Sequence, residues 1–94
     1  MRQTGFSVVN RLGALLQSVD NCKACKISCD GTVGGTLRIV VVPQWQKNLL
    51  HVKTAISGDT ELMQELGIDL RNIEICGEQI YIAVPVREED PRAA

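Results

Sequence analysis

The sequence predicts one α+β domain, a mostly antiparallel sheet of about five strands with two helices in the order α-β-β-β-α-β-β. Three observations predict it. The length of 94 residues suits a single domain. Segments with helical periodicity are interspersed with segments of alternating or β-branched character. The connections are short, which favours antiparallel pairing. We expect the domain to span residues 1–87, followed by a flexible charged tail over 88–94.

Two segments have the features of helices. Across residues 5–20, apolar side chains recur at three- and four-residue steps, as on one face of a helix. Thr4 suits the start of this helix. A second, shorter helix is expected near residues 59–66, because Asp59 suits an N-cap and Gly67 suits the left-handed residue that ends a helix. Its apolar face would consist of Leu62, Met63 and Leu66.

Five segments have the features of strands, namely residues 23–29, 36–42, 50–57, 72–76 and 79–86. The first alternates between apolar and polar side chains, which is typical of a strand with one solvated face. The Gly-rich stretch over 30–35 lacks the Lys-Ser/Thr ending of a phosphate-binding loop and precedes a strand, so we interpret it as a hairpin loop. Gly77 and Glu78 predict a two-residue turn in the last hairpin.

Two of these strands are apolar at successive positions, over residues 39–42 and 80–86. Such strands are usually covered on both faces of their sheet. Two short helices can cover one face and leave the other open. We therefore expect the open face to contact another chain, and a two-fold homodimer is the simplest arrangement. The alternative is a sharply curled sheet that wraps its own second face.

Charge is divided unequally along the chain. Residues 1–58 include seven basic and two acidic residues, a net charge of +5, whereas residues 59–94 include three basic and nine acidic residues, a net charge of −6. This division indicates either a basic nucleic-acid face or an electrically polar molecule that docks on itself or on a partner. Alternatively, the fold interleaves the two halves and their fields cancel.

Aromatic residues are scarce, and Trp45 is the only tryptophan. Because aromatic and arginine side chains dominate protein contacts, we expect the partner-binding surface to include Trp45, Tyr81, Arg38 and Lys47. Nucleic-acid binding by the basic N-terminal half is the alternative, with Trp45 available for base stacking. It is not favoured, because the pI is near 5.7 and single-strand binders usually carry several aromatics on the sheet face.

The four cysteines raise the question of a metal site. Cys22 and Cys25 form a C-x-x-C pair, and Cys29 and Cys76 could complete four thiolate ligands for zinc. A second chelating pair is missing, however, and Cys25 and Cys29 fall on the inward side of the first predicted strand. We therefore expect core thiols and no cofactor. A redox role is also disfavoured, because Cys22 follows a helix C-terminus, where the dipole does not lower a thiol pKa.

No motif indicates catalysis. His51 is the only histidine, and no recognisable pattern frames it with a cysteine nucleophile. No two carboxylates stand in a recognisable acid–base arrangement. The sequence therefore predicts a protein that is not an enzyme.

The N-terminus lacks the features of a signal peptide, and no apolar run is long enough to cross a bilayer. We therefore expect a cytoplasmic protein without membrane contact, whose cysteines are free thiols.

Two stretches resemble a known family. Leu37-Arg-Ile-Val-Val-Val-Pro43, a predicted strand ending in proline, is followed after a loop by Val52-Lys-Thr-Ala-Ile-Ser-Gly-Asp-Thr-Glu-Leu62. This pattern is similar to the PRTRC system protein E family, small proteins encoded together with others on bacterial plasmids and related mobile elements. In that family too, a helix precedes a hairpin, and a strand leads into a helix start. The resemblance implies an accessory protein of a bacterial mobile genetic element and brings no catalytic residues.

Overall fold

The computed structural model describes residues 5–19, 22 and 24–85. This part of the chain contains three α-helices and four strands, in the order α1 (Gly5–Gln17), β1 (Lys26–Val33), β2 (Thr36–Val42), α2 (Leu49–Ser57), α3 (Thr60–Leu66), β3 (Ile73–Cys76) and β4 (Gln79–Pro85). Short 3₁₀ turns at Gln46–Asn48 and Leu70–Asn72 precede α2 and β3. The predicted α+β class with an antiparallel sheet is confirmed, although five strands and two helices were expected. The predicted cap Thr4 and the tail over 88–94 lie outside the described residues.

The sheet joins two hairpins side by side. Its strand order is β1-β2-β4-β3, and all neighbouring strands are antiparallel. The N-terminal hairpin forms one half of the sheet and the C-terminal hairpin forms the other, with β2 paired to β4 at the centre. The register places Ser28, Val40, Tyr81 and Glu74 in one row across the four strands. This row crosses the middle of the sheet.

The first hairpin is longer than the sequence predicted. Its turn consists of Gly34 and Gly35, whose φ angles of +58° and +78° suit the tight turns that join antiparallel strands. β1 therefore begins at residue 26 instead of 23 and continues to residue 33, so the prediction of a loop over 30–33 is wrong. A register shift between Cys29 and Gly31 leaves Asp30 as a β-bulge. Because the bulge inserts one extra residue, the alternation of side chains between the two faces changes phase at this point. The sequence pattern therefore did not indicate that the strand continues.

The predicted third strand over 50–57 is wrong, because this segment is helix α2. Leu49, Val52 and Ile56 are its buried residues, at the three- and four-residue spacing of one helical face. In a strand, Leu50 would share a face with Val52, yet Leu50 is 66% exposed. The β-branched residues of this segment favour a strand locally, but the stripe buried against the sheet outweighs that propensity.

The helix α3 confirms the sequence prediction in detail. The side chain of Asp59 accepts a hydrogen bond from the backbone N–H of Leu62 at 3.0 Å, which caps the first turn. Gly67 ends the helix with a φ of +68°. The backbone N–H of Ile68 then donates to the Met63 carbonyl at 3.0 Å, and Ile68 folds back into the core. The predicted hairpin around Gly77 is also confirmed.

All three helices lie on the same face of the sheet. α1 packs on β1 and β2, and α2 packs on β3 and β4. Arg11 of α1 forms an ion pair with Glu65 of α3 at 2.8 Å, which joins the two helices at the surface. Within the described part of the chain, no helix has the length and hydropathy needed to span a bilayer. The core between the helices and the sheet includes Val8, Leu12, Leu16, Cys22, Leu37, Ile39, Val41, Leu49, Val52, Ile56, Leu62, Leu66, Ile73, Ile80, Ile82 and Val84.

Candidate functional site

The sheet face opposite the helices is the candidate site. Leu37, Ile39 and Val41 of β2 belong to the core, as do the alternate residues of β4. Because successive side chains of a strand point to opposite faces, the residues between them project away from the helices. We call this surface the open sheet face; it consists of Lys26, Ser28, Thr36, Arg38, Val40, Val42, Glu74, Cys76, Gln79, Tyr81 and Ala83.

The centre of the open sheet face is apolar and partly covered by its own side chains. Val40 is only 9% exposed, although it lies outside the core cluster, and its register partners Ser28 and Tyr81 flank it. The Arg38 guanidinium lies 4.6 Å from the centroid of the Tyr81 ring, a cation–π contact. The Tyr81 hydroxyl donates a hydrogen bond to Gln79 Oε1 at 2.7 Å. Tyr81 is therefore held in one orientation before any partner binds.

A shallow depression of about 380 Å³ opens beside this centre. Its lining contains charges of both signs, because Arg38, Arg71 and Glu74 all contribute to it. Arg71 already donates to Asp69 at 2.9 Å, and this hydrogen bond lowers the pKa of the Asp69 carboxyl and raises the pKa of Arg71. The looser Arg38 and Asp30 pair spans 3.9 Å. The mixed lining is unlike a site built for phosphate alone.

The charge division of the sequence persists across the sheet. On the open sheet face, Lys26 and Arg38 belong to the N-terminal hairpin, whereas Glu74 belongs to the outer strand of the C-terminal hairpin. The sheet therefore keeps the two halves apart. Within the described part of the chain, neither Lys26 nor Glu74 forms an ion pair. One edge of the face thus presents an unpaired cation and the opposite edge an unpaired anion.

The structure divides the predicted partner-binding residues into two groups. Arg38 and Tyr81 meet on the open sheet face. Trp45, which is 56% exposed, and Lys47 lie in the segment that leads from β2 to α2, away from that pair in the chain. Sequence reasoning missed Val40 and Glu74, and it considered Lys26 only as part of the basic N-terminal half. The two-residue period of β2 could have placed Val40 beside Arg38, but the pairing of the hairpins, which places Glu74 in that row, is not visible in the sequence.

The structure does not bring the four cysteines together. Cys22 is buried and Cys25 half-buried, and burial raises the pKa of both thiols, with a further contribution to Cys25 from neighbouring Cys22. Cys76 ends β3, on the opposite side of the sheet from β1, three strand spacings or about 14 Å away. Zinc–sulfur bonds are only about 2.3 Å long. The residues that the structure describes contain no group of three His, Cys, Asp or Glu side chains suited to a metal ion.

Cys29 departs from the expectation of a core thiol. It points towards α1, as its closeness to Gly5 indicates, yet it is exposed because β1 is an edge strand. Cys76 is exposed as well. The expectation of buried thiols therefore holds for Cys22, in part for Cys25, and not for the other two.

Two residues that bear on the alternative functions lie on helix α2. One is His51, the only histidine, which lies on the exposed side of α2 and not on a strand. The other is Lys53: within the basic N-terminal half, Lys26 and Arg38 lie on the open sheet face, whereas Lys53 lies in the helical layer. Lys23 lies outside the described residues.

Comparisons with protein-family models, with curated proteins and with solved structures find no match. The resemblance to the PRTRC system protein E family therefore stays a prediction from the sequence pattern. In the second stretch of that pattern, residues 52–57 are helical here and not extended.

Proposed function

We propose that this protein is a non-enzymatic binding module that holds another protein chain against its open sheet face. The observation that carries the proposal is the one-sided architecture. Three helices cover one face of the sheet, while the other face, uncovered by any described element, presents the Arg38 and Tyr81 pair above Val40 with charged residues at its edges. Protein interfaces have this anatomy, with a desolvated centre and a polar periphery.

The Arg38 and Tyr81 pair supports the proposal. Arginine and tyrosine are enriched among the residues that dominate the energy of protein contacts. Tyr81 is fixed by its hydrogen bond to Gln79 and by the guanidinium above it, so binding costs little side-chain entropy. Val40 beneath them provides an apolar floor.

The setting that we propose is that of an accessory protein of a bacterial mobile genetic element. Its support is the resemblance of residues 37–43 and 52–62 to the PRTRC system protein E family. Nucleic acid is the alternative partner. Glu74 in the depression opposes it, because affinity for nucleic acid comes largely from neutralising phosphates with basic side chains.

The test is site-specific photo-crosslinking. A benzophenone amino acid replaces Val42 on the open sheet face in one variant and Leu50 on α2 in a second, matched variant. Both original residues are apolar, and neither contributes to the Arg38 and Tyr81 pair. We expect protein adducts from position 42 and none from position 50, with purified protein and in lysate of the expressing cell. Adducts from position 50 alone, or nucleic-acid adducts from position 42, would contradict the proposal.

A further inference from the structure

Resting on the proposed function, we infer that the chain held against the open sheet face is a second copy of this protein. The two copies are related by a two-fold axis that runs parallel to the strands, between β2 and β4. The two sheets then stack face to face, about 10 Å apart as in other stacked sheets. The helices of both copies lie on the outside.

This axis exchanges the two halves of the sheet. β2 of one copy lies opposite β4 of the other, and β1 lies opposite β3. Each residue keeps its height along the strands, so the central row meets itself in reverse order. Val40 therefore faces Tyr81 of the second copy, and Ser28 faces Glu74 of the second copy. The two centres coincide, and the part of each Tyr81 side chain that is exposed in one copy is withdrawn from water.

The charges on the two edges become complementary. Lys26 lies one row from Ser28 on the same face, about 7 Å along β1, which is within reach of a lysine side chain. It can therefore meet Glu74 of the second copy. Inside one chain the two residues are on opposite edges, about 14 Å apart, and cannot pair. Symmetry supplies this contact twice, and it satisfies the two charges that have no ion-pair partner in the described part of one chain.

The long side chain of Arg38 also finds room in this arrangement. Arg38 is the register partner of Ala83 within one sheet, so the axis places it opposite Ala83 of the second copy. Alanine is the smallest residue of β4 on the open sheet face. The guanidinium can remain over its own Tyr81 ring while the facing surface leaves space for it.

The other two-fold arrangement of stacked sheets is unfavourable. An axis perpendicular to the strands would place each strand opposite its own copy. The Glu74 edge would then face the Glu74 edge of the second copy, and like charges would meet at both rims without compensation. The observed charge division therefore selects the axis parallel to the strands.

The area of contact between the two copies limits the affinity that we expect for self-association. Four strands spaced by about 4.8 Å and a length near 20 Å give a face of roughly 400 Å² per copy. The two copies together would bury roughly 800 Å², which is below the range of stable specific interfaces and within that of weak, transient ones. We therefore expect weak association, visible only at concentrations of roughly hundreds of micromolar and above.

The test uses charge reversal at the two edges. Lys26→Glu and Glu74→Lys are each studied by analytical ultracentrifugation, with the wild-type protein as reference. We expect each single variant to associate at least tenfold more weakly than wild type. We expect an equimolar mixture of the two variants to form a heterodimer, and the K26E/E74K double variant to regain wild-type association. Glu78→Lys, in the β3–β4 turn, is the control for charge alone and should associate like wild type.

Several outcomes would overturn the inference. A wild-type protein that stays monomeric at millimolar concentration overturns it, as does a mixture of folded single variants that remains monomeric. Single variants that associate as strongly as wild type would also overturn it, because the perpendicular axis places each edge opposite its own copy and keeps like charges together after either reversal. Circular dichroism confirms that each variant is folded. A monomeric wild type that crosslinks from position 42 to a different protein overturns the second copy and leaves the proposed function in place, whereas no protein adduct from position 42 overturns both.

Discussion

Gly5 marks the closest approach between α1 and the sheet. A Cβ atom at this position would lie 2.6 Å from Cys29 Sγ and 3.0 Å from Cys29 Cβ, distances that require the neighbours to move. Gly13, in the same helix, has only Ile27 Cδ1 at 3.9 Å, an ordinary contact. One glycine is therefore required by packing, whereas the other only weakens the helix.

We expect Gly5→Ala and Gly13→Ala to change stability in opposite directions. Gly5→Ala should lower the free energy of unfolding by about 1 kcal/mol, because the new Cβ crowds Cys29 and requires either its side chain or α1 to shift. Gly13→Ala should raise it by up to about 1 kcal/mol through helix propensity. Urea unfolding followed by circular dichroism measures both, and Cys29→Ala should reduce the cost at position 5. Equal effects at the two glycines would contradict the close approach.

The cysteines should react in two classes. Cys29 and Cys76 are exposed, whereas burial raises the pKa of the Cys22 and Cys25 thiols and keeps them protonated at neutral pH. We expect Cys29 and Cys76 to be alkylated quickly in the native protein, the half-buried Cys25 much more slowly and the buried Cys22 only after unfolding, as resolved by mass spectrometry of digested peptides. Because the folded pKa values are raised, stability should also fall as pH rises from the unfolded thiol value of about 8.5 through the folded values. Uniform labelling of all four would contradict this division.

At the scale of elements, the sequence predicted correctly those features of helices and turns that depend only on neighbouring residues. The caps of α3 and the turn at Gly77 depend on nearby residues, and both were predicted correctly. Segment 50–57 was assigned wrongly because its β-branched residues suit a strand in isolation. Its helical state depends on burial of Val52 and Ile56 against a sheet that the segment does not itself contain. The bulge at Asp30 was missed for a related reason, since it is defined by pairing with β2.

Substitutions of threonine distinguish helix from strand in this segment. Thr54 is exposed on α2, and Thr36 begins β2. We expect Thr54→Ala to raise the free energy of unfolding by roughly 0.5 kcal/mol, because alanine favours a helix. Thr36→Ala should lower it by up to about 1 kcal/mol, because alanine disfavours a strand. Urea titration gives both values, and a loss at both positions would indicate that segment 50–57 is a strand.

For the whole molecule, the pairing of two hairpins converts a charge gradient along the chain into one across the sheet. The sequence revealed the gradient but left open whether the fold would cancel it. It also predicted Arg38 and Tyr81 as candidate binding residues, without indicating that they touch. The grouping of Val40, Lys26 and Glu74 on one face depends on the order β1-β2-β4-β3, which follows from long-range packing. For this reason the sequence predicted individual members of the candidate site but not the set of residues that the sheet brings together.

The salt dependence of self-association should reflect this mixed surface. Raising ionic strength from about 0.02 M to about 0.5 M shortens the screening length and weakens the rim pairs between the two copies. The apolar centre is not weakened in this way, so we expect a loss of several-fold and not the many hundred-fold loss typical of nucleic-acid binding. Sedimentation equilibrium at both ionic strengths measures the change. Association that is independent of salt would show that the rim charges do not contribute to self-association.

The bulge at Asp30 also bears on how the molecule avoids fibrous aggregation. β1 ends the sheet on one side, and a long regular outer strand is a template on which further chains can add without limit. The bulge interrupts the regular spacing of β1 after Cys29, so an incoming strand could form an unbroken ladder with only the first four residues of β1. Lys26 is one of those four residues, and its positive charge would repel Lys26 of each further chain that adds to the edge. Open-ended growth along the sheet edge is thereby discouraged, while closed pairing across the face remains available.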